Sequence, residues 1–518
     1  MAPSKDDIEL QPPASMAAHH AHTGSTVISS LRAVNDPAVM SNPKAIGSIQ
    51  SASGSVTSVV GPARSLVSSV RDPVDGSVRD GVKEIIPEDG EPQGHAPARV
   101  SAWYQTSFNL MAEIMGTGVL SLPSTVAGLG YGLGAAAIVA FAVAVYYQGF
   151  LLSKVKNKYY SQVLSYGDLA FILHGKWFES CTRWLLYANW YALMCYYILA
   201  LTSALASAFY WRTDICFWSW GLMSVAILLP CVQLRTFHAI SWASLLSTLS
   251  ILAAVIIIAA SFITGGTTEA ESGDFVPPSA KVPPQPFLAG YSNIANIIFA
   301  FQGQSEFYEM AAEMKNPKKF PFSLGISQII MCSTYLFTAM IAYTYGGQNV
   351  NGFILYSLPE NALRTACSLL VGLHIIVAYV ITNQPLAYKA HEGVSKATLH
   401  GTGAKPALVH FGITLTFLVT GFILANLIPF FADMQGVISA FAASPIVFFY
   451  PAYFYVVACM RAGDWKAVPL WEKGWLGFMI VVVFPFCFFV GLVSSISGIA
   501  SSWTGAGSPF SCIVASQL

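Results

Sequence analysis

Glu113 lies three residues before Gly116-Thr117-Gly118, inside an apolar, bilayer-crossing stretch around Phe108–Pro123. A carboxyl group and a helix-weakening pair of glycines in mid-membrane are costly unless they line a cavity or bind something. A second interrupted apolar stretch, Phe299-Ala-Phe-Gln-Gly-Gln-Ser-Glu306, carries Gly303 and Glu306. Paired broken helices in corresponding positions of two halves point to a solute carrier's binding site. The bland alternative is that the glycines serve only close helix packing; two interrupted spans weigh against it.

Composition sets the elements that must hold these residues. Of 518 residues, 54% are hydrophobic and 10% charged, with a mean hydropathy of +0.57. A soluble domain carries about a quarter charged residues. The 26 basic and 26 acidic residues balance, so no nucleic acid partner is indicated. Nine cysteines, at 181, 195, 216, 231, 332, 367, 459, 487 and 512, form no metal-ligand spacing. They read as small buried hydrophobes. No metal or cofactor is expected, and no nucleophile elbow, zincin His pair or phosphate loop suggests an enzyme.

Residues 1–100 contain no Phe, Tyr or Trp, ten prolines and fifteen serines. So little apolar surface cannot offset ordering entropy, which predicts a disordered cytosolic tail. No apolar segment there reads as a signal peptide. Beyond it, eleven spans of bilayer-crossing length are predicted near 105–127, 132–153, 183–209, 216–234, 238–263, 287–312, 324–346, 361–385, 407–428, 432–458 and 475–498. With the N-terminus inside, 23 Lys/Arg fall on the inner side and three (Arg212, Lys281, Arg364) on the outer. Arg235 is among the inner ones. The acidic, proline-rich loop 264–286 falls outside, as does a short tail, 499–518. The transmembrane domain is therefore 101–498.

The two motifs carry a resemblance. Glu113-Ile-Met-Gly-Thr-Gly-Val-Leu-Ser-Leu-Pro123 resembles the first span of the amino acid/auxin permease family, a branch of the amino acid-polyamine-organocation superfamily. Phe299-Ala-Phe-Gln-Gly, Glu309 to Met314, and Lys315-Asn-Pro-Lys-Lys-Phe-Pro321 resemble its sixth span and following loop. The resemblance implies an all-α, LeuT-like fold of two inverted five-span repeats with spans one and six broken. It also implies transport of an amino acid, usually driven by protons and in some members by sodium.

A broken helix presents a positive and a negative end, and a zwitterion needs both. The half-helix starting near Gly118 suits the substrate carboxylate, and Gly116, Thr117 and Gly118 allow close backbone approach. The carbonyls of Phe299, Ala300 and Phe301, before Gly303, suit the ammonium. Glu113 ends the inner half of span one, where carbonyl dipoles disfavour a fixed negative charge. A carboxyl that can be neutral or ionised is what proton coupling needs. Asn109, one turn earlier, is its expected hydrogen-bond partner. Glu306, Glu309 and Glu313 share a face by i, i+3, i+7 spacing. At 1.5 Å per residue Glu309 is about 9 Å from the break, and Glu313 about 15 Å. Glu309 matches a glutamate of plant-type members and is a coupling or gating candidate. Glu313 is expected to pair with Lys315 or Lys318. Glu306 departs from the family pattern and leaves cationic substrates open.

His374, central in span eight, is a proton-relay candidate or a packing residue. Thr382-Asn383-Gln384-Pro385 is expected to shape the inner gate. One of Tyr187, Trp190, Tyr191, Tyr196 and Tyr197 is expected to close over the substrate, and with Phe301 these aromatics favour an uncharged, large side chain. Ser444-Pro445 and Pro451 should bend span ten. The reading is an amino acid symporter, proton-coupled ahead of sodium-coupled, in the plasma membrane ahead of a vacuolar or lysosomal one. Its partners are an amino acid, as a small-molecule substrate, and the bilayer; the oligomeric state is open. The rivals are an amino acid sensor and an importer of auxin-like organic acids.

Overall fold

A computed structural model describes residues 99–233, 240–265, 275–279, 281–399, 401, 403–428, 430–506, 510 and 512. The tail expectation (apart from 99 and 100), Arg235, and the acidic residues Glu269, Glu271 and Asp274 of the outer loop lie outside the described residues. Those residues are almost wholly helical.

Helix α1 (Trp103–Ile114) gives way to a 3-10 turn, Thr117–Leu120, and then to α2 (Leu122–Lys158). Gly130, at φ 75°, turns the chain within α2, which separates a first crossing from a second. Then follow α3 (Tyr166–Ala208), α4 (Phe217–Cys231) and α5 (Ile240–Gly265). Helix α6 (Phe287–Ala300) breaks before the turn Gln304–Glu306 and α7 (Phe307–Glu313). Next are α8 (Phe320–Gly346), α9 (Ala362–Val394) and α10 (Ala404–Leu427). Helix α11 (Phe431–Ile438) passes through π-helical turns into α12 (Tyr450–Arg461). Helix α13 (Leu470–Phe478) leads likewise into α14 (Gly491–Ala506).

Among the described residues seven helices are long and apolar enough to cross a membrane, and the segment Phe431–Arg461, bent by 40°, makes an eighth. The bend sits at Ser444-Pro445, as expected, because proline removes a ladder hydrogen bond. The short apolar α4 and the two interrupted segments fall below that length as single helices. In order, these elements are consistent with the eleven expected segments. The eighth runs on to Val394, through Pro385, rather than ending there.

Helix α3 forms the centre: 89% of its apolar window is buried, against 22% for α10. It packs most extensively on α9, while α2 packs on α8. Large apolar side chains such as Val143, Ile329, Val481, Phe489 and Ile496 face outward, the surface a lipid solvent favours. Helices α1 and α8 are joined by a serine ladder. Ser323 Oγ donates to the Trp103 carbonyl at 2.9 Å, Ser107 Oγ to Ser323 at 3.1 Å, and Ser327 Oγ to Ser107 at 3.1 Å. Small hydroxyl residues hold helices together where lipid supplies no hydrophobic drive.

Two close approaches bring the breaks together. A Cβ on Gly118 would stand 2.7 Å from the Ala300 Cα, and one on Gly303 would stand 2.4 Å from Ile114 Cγ1. Each break therefore needs a glycine opposite the other's backbone or side chain.

The cysteines depart from expectation. Cys216 and Cys512, 296 residues apart, form a disulfide, while Cys195, Cys367, Cys459 and Cys487 are buried and free. Both bridged residues fall on the outer side by the charge count, where disulfides persist. A pair so far apart in sequence leaves no spacing signature.

Two outcomes follow. Gly118→Ala should cost about 1–3 kcal/mol by overpacking, read as earlier loss of monodisperse protein on heating in detergent. Gly132→Ala and Gly412→Ala, with open space around them, should not. Separately, C216S should free Cys512 and add one site reached by a membrane-impermeant maleimide from the non-cytosolic face; no gain would contradict the bridge or that placement.

Candidate functional site

The break in α1 is set by its own residues. Met115 (φ −74°, ψ 24°) and Gly116 (φ −65°, ψ −138°) leave the helical path, and the chain re-enters a 3-10 turn at Thr117. In the second break, Phe301 (φ −107°, ψ 2°) ends α6, and Gln304–Glu306 begins the next turn. Helix ends leave carbonyls on one side of each gap and N–H groups on the other.

Those carbonyls are partly answered. The Tyr335 hydroxyl of α8 lies 2.7 Å from the Ala300 carbonyl oxygen and 3.2 Å from that of Ile114, so its one proton is shared between the two half-helix ends, the Ala300 contact being the shorter. The Ile298 and Phe299 carbonyls accept from the Phe301 and Gln302 N–H groups at 3.3 and 3.2 Å. Any ammonium group bound here would share carbonyls already in use, through their second lone pairs.

A small cavity of about 20 Å³ opens between the breaks. It is room for water and not for an amino acid, so the described conformation is one in which the site is closed down. Its lining includes Glu113, Gly116, Thr117 and Gly118 from the first break, and Phe299, Gln302, Gly303 and Ser305 from the second. Asn189, Leu193 and Tyr197 come from α3. The expected substrate residues thus meet, with two exceptions. Ala300 packs beneath Gly118, and the Phe301 ring lies 4.9 Å from that of Tyr335, away from the lining. Phe301 therefore gives no ground for a large uncharged side chain.

Of the five aromatics expected near the site, Tyr197 lines the cavity and Tyr196 packs beside it. Tyr196 accepts from Gln435 at 2.7 Å and sets its ring 4.8 Å from Phe299, with Thr117 as a neighbour. Tyr197 neighbours Thr382.

Glu113 is held differently from the expectation. Thr382 Oγ1 donates to its Oε1 at 3.4 Å; Asn109 does not bond it. Asn109 precedes Glu113 by four residues on α1, whereas α9 brings Thr382 against the carboxyl from across the site. Thr382 thus stands beside the first break, against Glu113. The Glu113 Oε2 is buried with no protein partner. Glu306 neighbours it across the gap, and Glu309 and Glu313 act on Glu306 from the same helical face.

Further in, Glu309 has a buried, unpartnered Oε2 and lies within the field of the buried Lys156. Glu313 forms no ion pair with Lys315 or Lys318 among the described residues. The chain after it leaves the helix at Met314, and the Lys315 N–H bonds the Ser101 carbonyl at 2.9 Å. The Ser101 N–H in turn bonds the Glu313 carbonyl at 3.0 Å, which clasps the approach to α1 onto the end of α7.

His374 is fully buried on α9. Ser247 Oγ of α5 lies 2.7 Å from its Nδ1, and its Nε2 has no partner. That Nε2 points at the unwound backbone: a Cβ on Gly116 would stand 3.2 Å from it. Sequence reasoning missed Tyr335, Asn189, Gln302 and Ser247 as site residues. Asn189 and Gln302 carried a signal, as amides inside apolar stretches; Tyr335 and Ser247 carried none.

The chain is 22% identical over 385 residues to the N amino acid transport system protein of Neurospora crassa, covering 72% of this chain and 80% of the relative. It is 23% identical over 449 residues to the human vesicular inhibitory amino acid transporter, covering 82% and 81%. Its fold is similar to MhsT, solved in complex with L-phenylalanine, at a TM-score of 0.50 and 11% identity, over 77% of this chain and 99% of that one. The family model for transmembrane amino acid transporter protein matches residues 99–500. With broken helices meeting at a common cavity, and a match spanning nearly all of its helical region, the chain belongs to the transmembrane amino acid transporter family.

Proposed function

We propose that this protein is a secondary active amino acid symporter driven by protons, working by alternating access around the two breaks. The observation that carries the reading is Glu113. It stands at the end of a half-helix, holds one oxygen on Thr382 and leaves the other buried and unpartnered at the cavity. A buried carboxylate without a cation is costly, and a neutral carboxyl is not. Protonation from one side and release to the other therefore changes the energy of the closed site. The groups facing it are Thr382, Tyr197 and Glu306; Glu309 and Lys156 lie further in, and His374 faces Gly116 three residues on.

The substrate carboxylate would meet the N–H groups that open the turn at Thr117, where a helix start favours an anion. The ammonium would meet the carbonyl ends of α1 and α6. Tyr335 ties those two ends, so α1 and α6 would move together against α3 and α9. The Ser101 clasp and the serine ladder hold α1 to α7 and α8 in the same unit.

Proteoliposomes with an imposed inward proton gradient should accumulate amino acid with no added sodium. E113Q should abolish gradient-driven accumulation while exchange of internal for external substrate persists. Accumulation that follows a sodium gradient and survives E113Q would overturn the coupling. An amino acid bound but never moved would instead favour a sensor.

A further inference from the structure

We infer that this site selects an amino acid whose side chain carries a neutral carboxamide, recognised by the amides of Asn189 and Gln302; this rests on the transport reading above. Both residues line the cavity. Asn189 comes from α3, and Gln302 from the unwound stretch between α6 and the turn Gln304–Glu306. The Asn189 side-chain oxygen and both polar atoms of the Gln302 amide are buried without a protein partner. Asn189 as a whole is 2% exposed. A cavity of about 20 Å³ has room for about one water. One water bonds about three groups, fewer than these atoms and Glu113 Oε2 together require.

The two amides also stand where a side chain would end. Asn189, Leu193 and Tyr197 follow at i, i+4 and i+8, so they form one stripe along the cavity. At 1.5 Å per residue Asn189 is about 12 Å from Tyr197. Tyr197 neighbours Thr382, which stands against Glu113 at the first break. By the charge count α3 runs outward and α6 inward. Asn189 precedes Tyr197 and Gln302 follows Phe299, so both amides fall at the inner end of the lining. The helix ends take the substrate's ammonium and carboxylate, which leaves this end for its side chain.

The rest of the lining narrows the chemistry. No lysine, arginine or histidine is among the described residues that line the cavity, and the acid there is Glu113, which the coupling proton neutralises. A carboxylate side chain would meet no cation, and an ammonium or guanidinium no fixed anion; an unpaired buried charge is strongly unfavourable. A hydrocarbon side chain would close the site with the amides against carbon, each at the cost of its lost solvation. A carboxamide brings two N–H donors and a carbonyl acceptor, which the oxygens of Asn189 and Gln302 and the Gln302 NH₂ can answer.

Glutamine and methionine test this directly, because they are similar in length and differ in the carboxamide. Proteoliposomes holding the full chain are given either radiolabelled compound under the same imposed proton gradient. The wild type should take up glutamine about tenfold to a hundredfold better at low concentration, the range for one buried polar group left unpaired. N189L and Q302M, which keep side-chain size, should bring that ratio towards one. Equal uptake, or preference for methionine, in the wild type would overturn the inference while leaving transport standing. So would a preference for glutamate or lysine over glutamine. The wild-type ratio decides the substrate class without any variant; an unchanged ratio in both variants would overturn the assignment to these two amides. Uptake of no amino acid at all by correctly inserted protein would overturn the transport reading and this inference with it.

Discussion

Unwound backbone in the middle of a membrane has to find its partners within the protein, and the rest of this structure is arranged around that need. Two helices, α1 and α6, stop in mid-membrane, and lipid can satisfy neither end. They are brought together by glycine against backbone and glycine against isoleucine, closely enough that no Cβ fits at Gly118 or Gly303. One hydroxyl, that of Tyr335, then serves both carbonyl ends. Because a single donor on α8 is shared, both carbonyl ends keep their partner only while each half-helix stays against α8. The serine ladder and the Ser101 clasp add further ties to α8 and the end of α7.

The charges are placed on this frame. Glu113 and Glu306 face each other at the breaks, Glu309 follows one turn along α7, and Lys156, over the Tyr308 ring, and Arg183 act on Glu309. The broken helices supply partial charges for the two ends of a zwitterion. The carboxyls add whole charges whose state can change. The cavity, about 20 Å³ in this conformation, has to widen before it holds an amino acid. The unpaired atoms lining it are where, in the proposed mechanism, a proton or a substrate would alter its energy.

Much of this was legible in the sequence, and the division has a physical basis. The breaks announced themselves because glycine, glutamine and glutamate are costly within apolar stretches of spanning length. The concentration of Lys/Arg in alternate connecting segments ordered the helices. What hydropathy and spacing cannot report is which helices touch. Asn109 seemed the partner of Glu113 because it lies one turn away, but the bond comes from Thr382, 269 residues on. Phe301 seemed to line the site because it sits in the motif, yet its ring turns to Tyr335. Tyr335 itself looked like one more aromatic in an apolar helix. The Cys216–Cys512 bridge was hidden for the same reason, since its partners are neighbours only in the folded chain.

The central claim is that the amino acid sits between the two breaks. Substrate protection measures this most directly. Ser305 lines the cavity and is small, so S305C should be modified by a small methanethiosulfonate reagent as the site opens. A transported amino acid at saturating concentration should slow that modification severalfold, and a non-transported one should not. Modification unaffected by any amino acid, in protein that still takes one up, would place the binding site elsewhere and contradict the account.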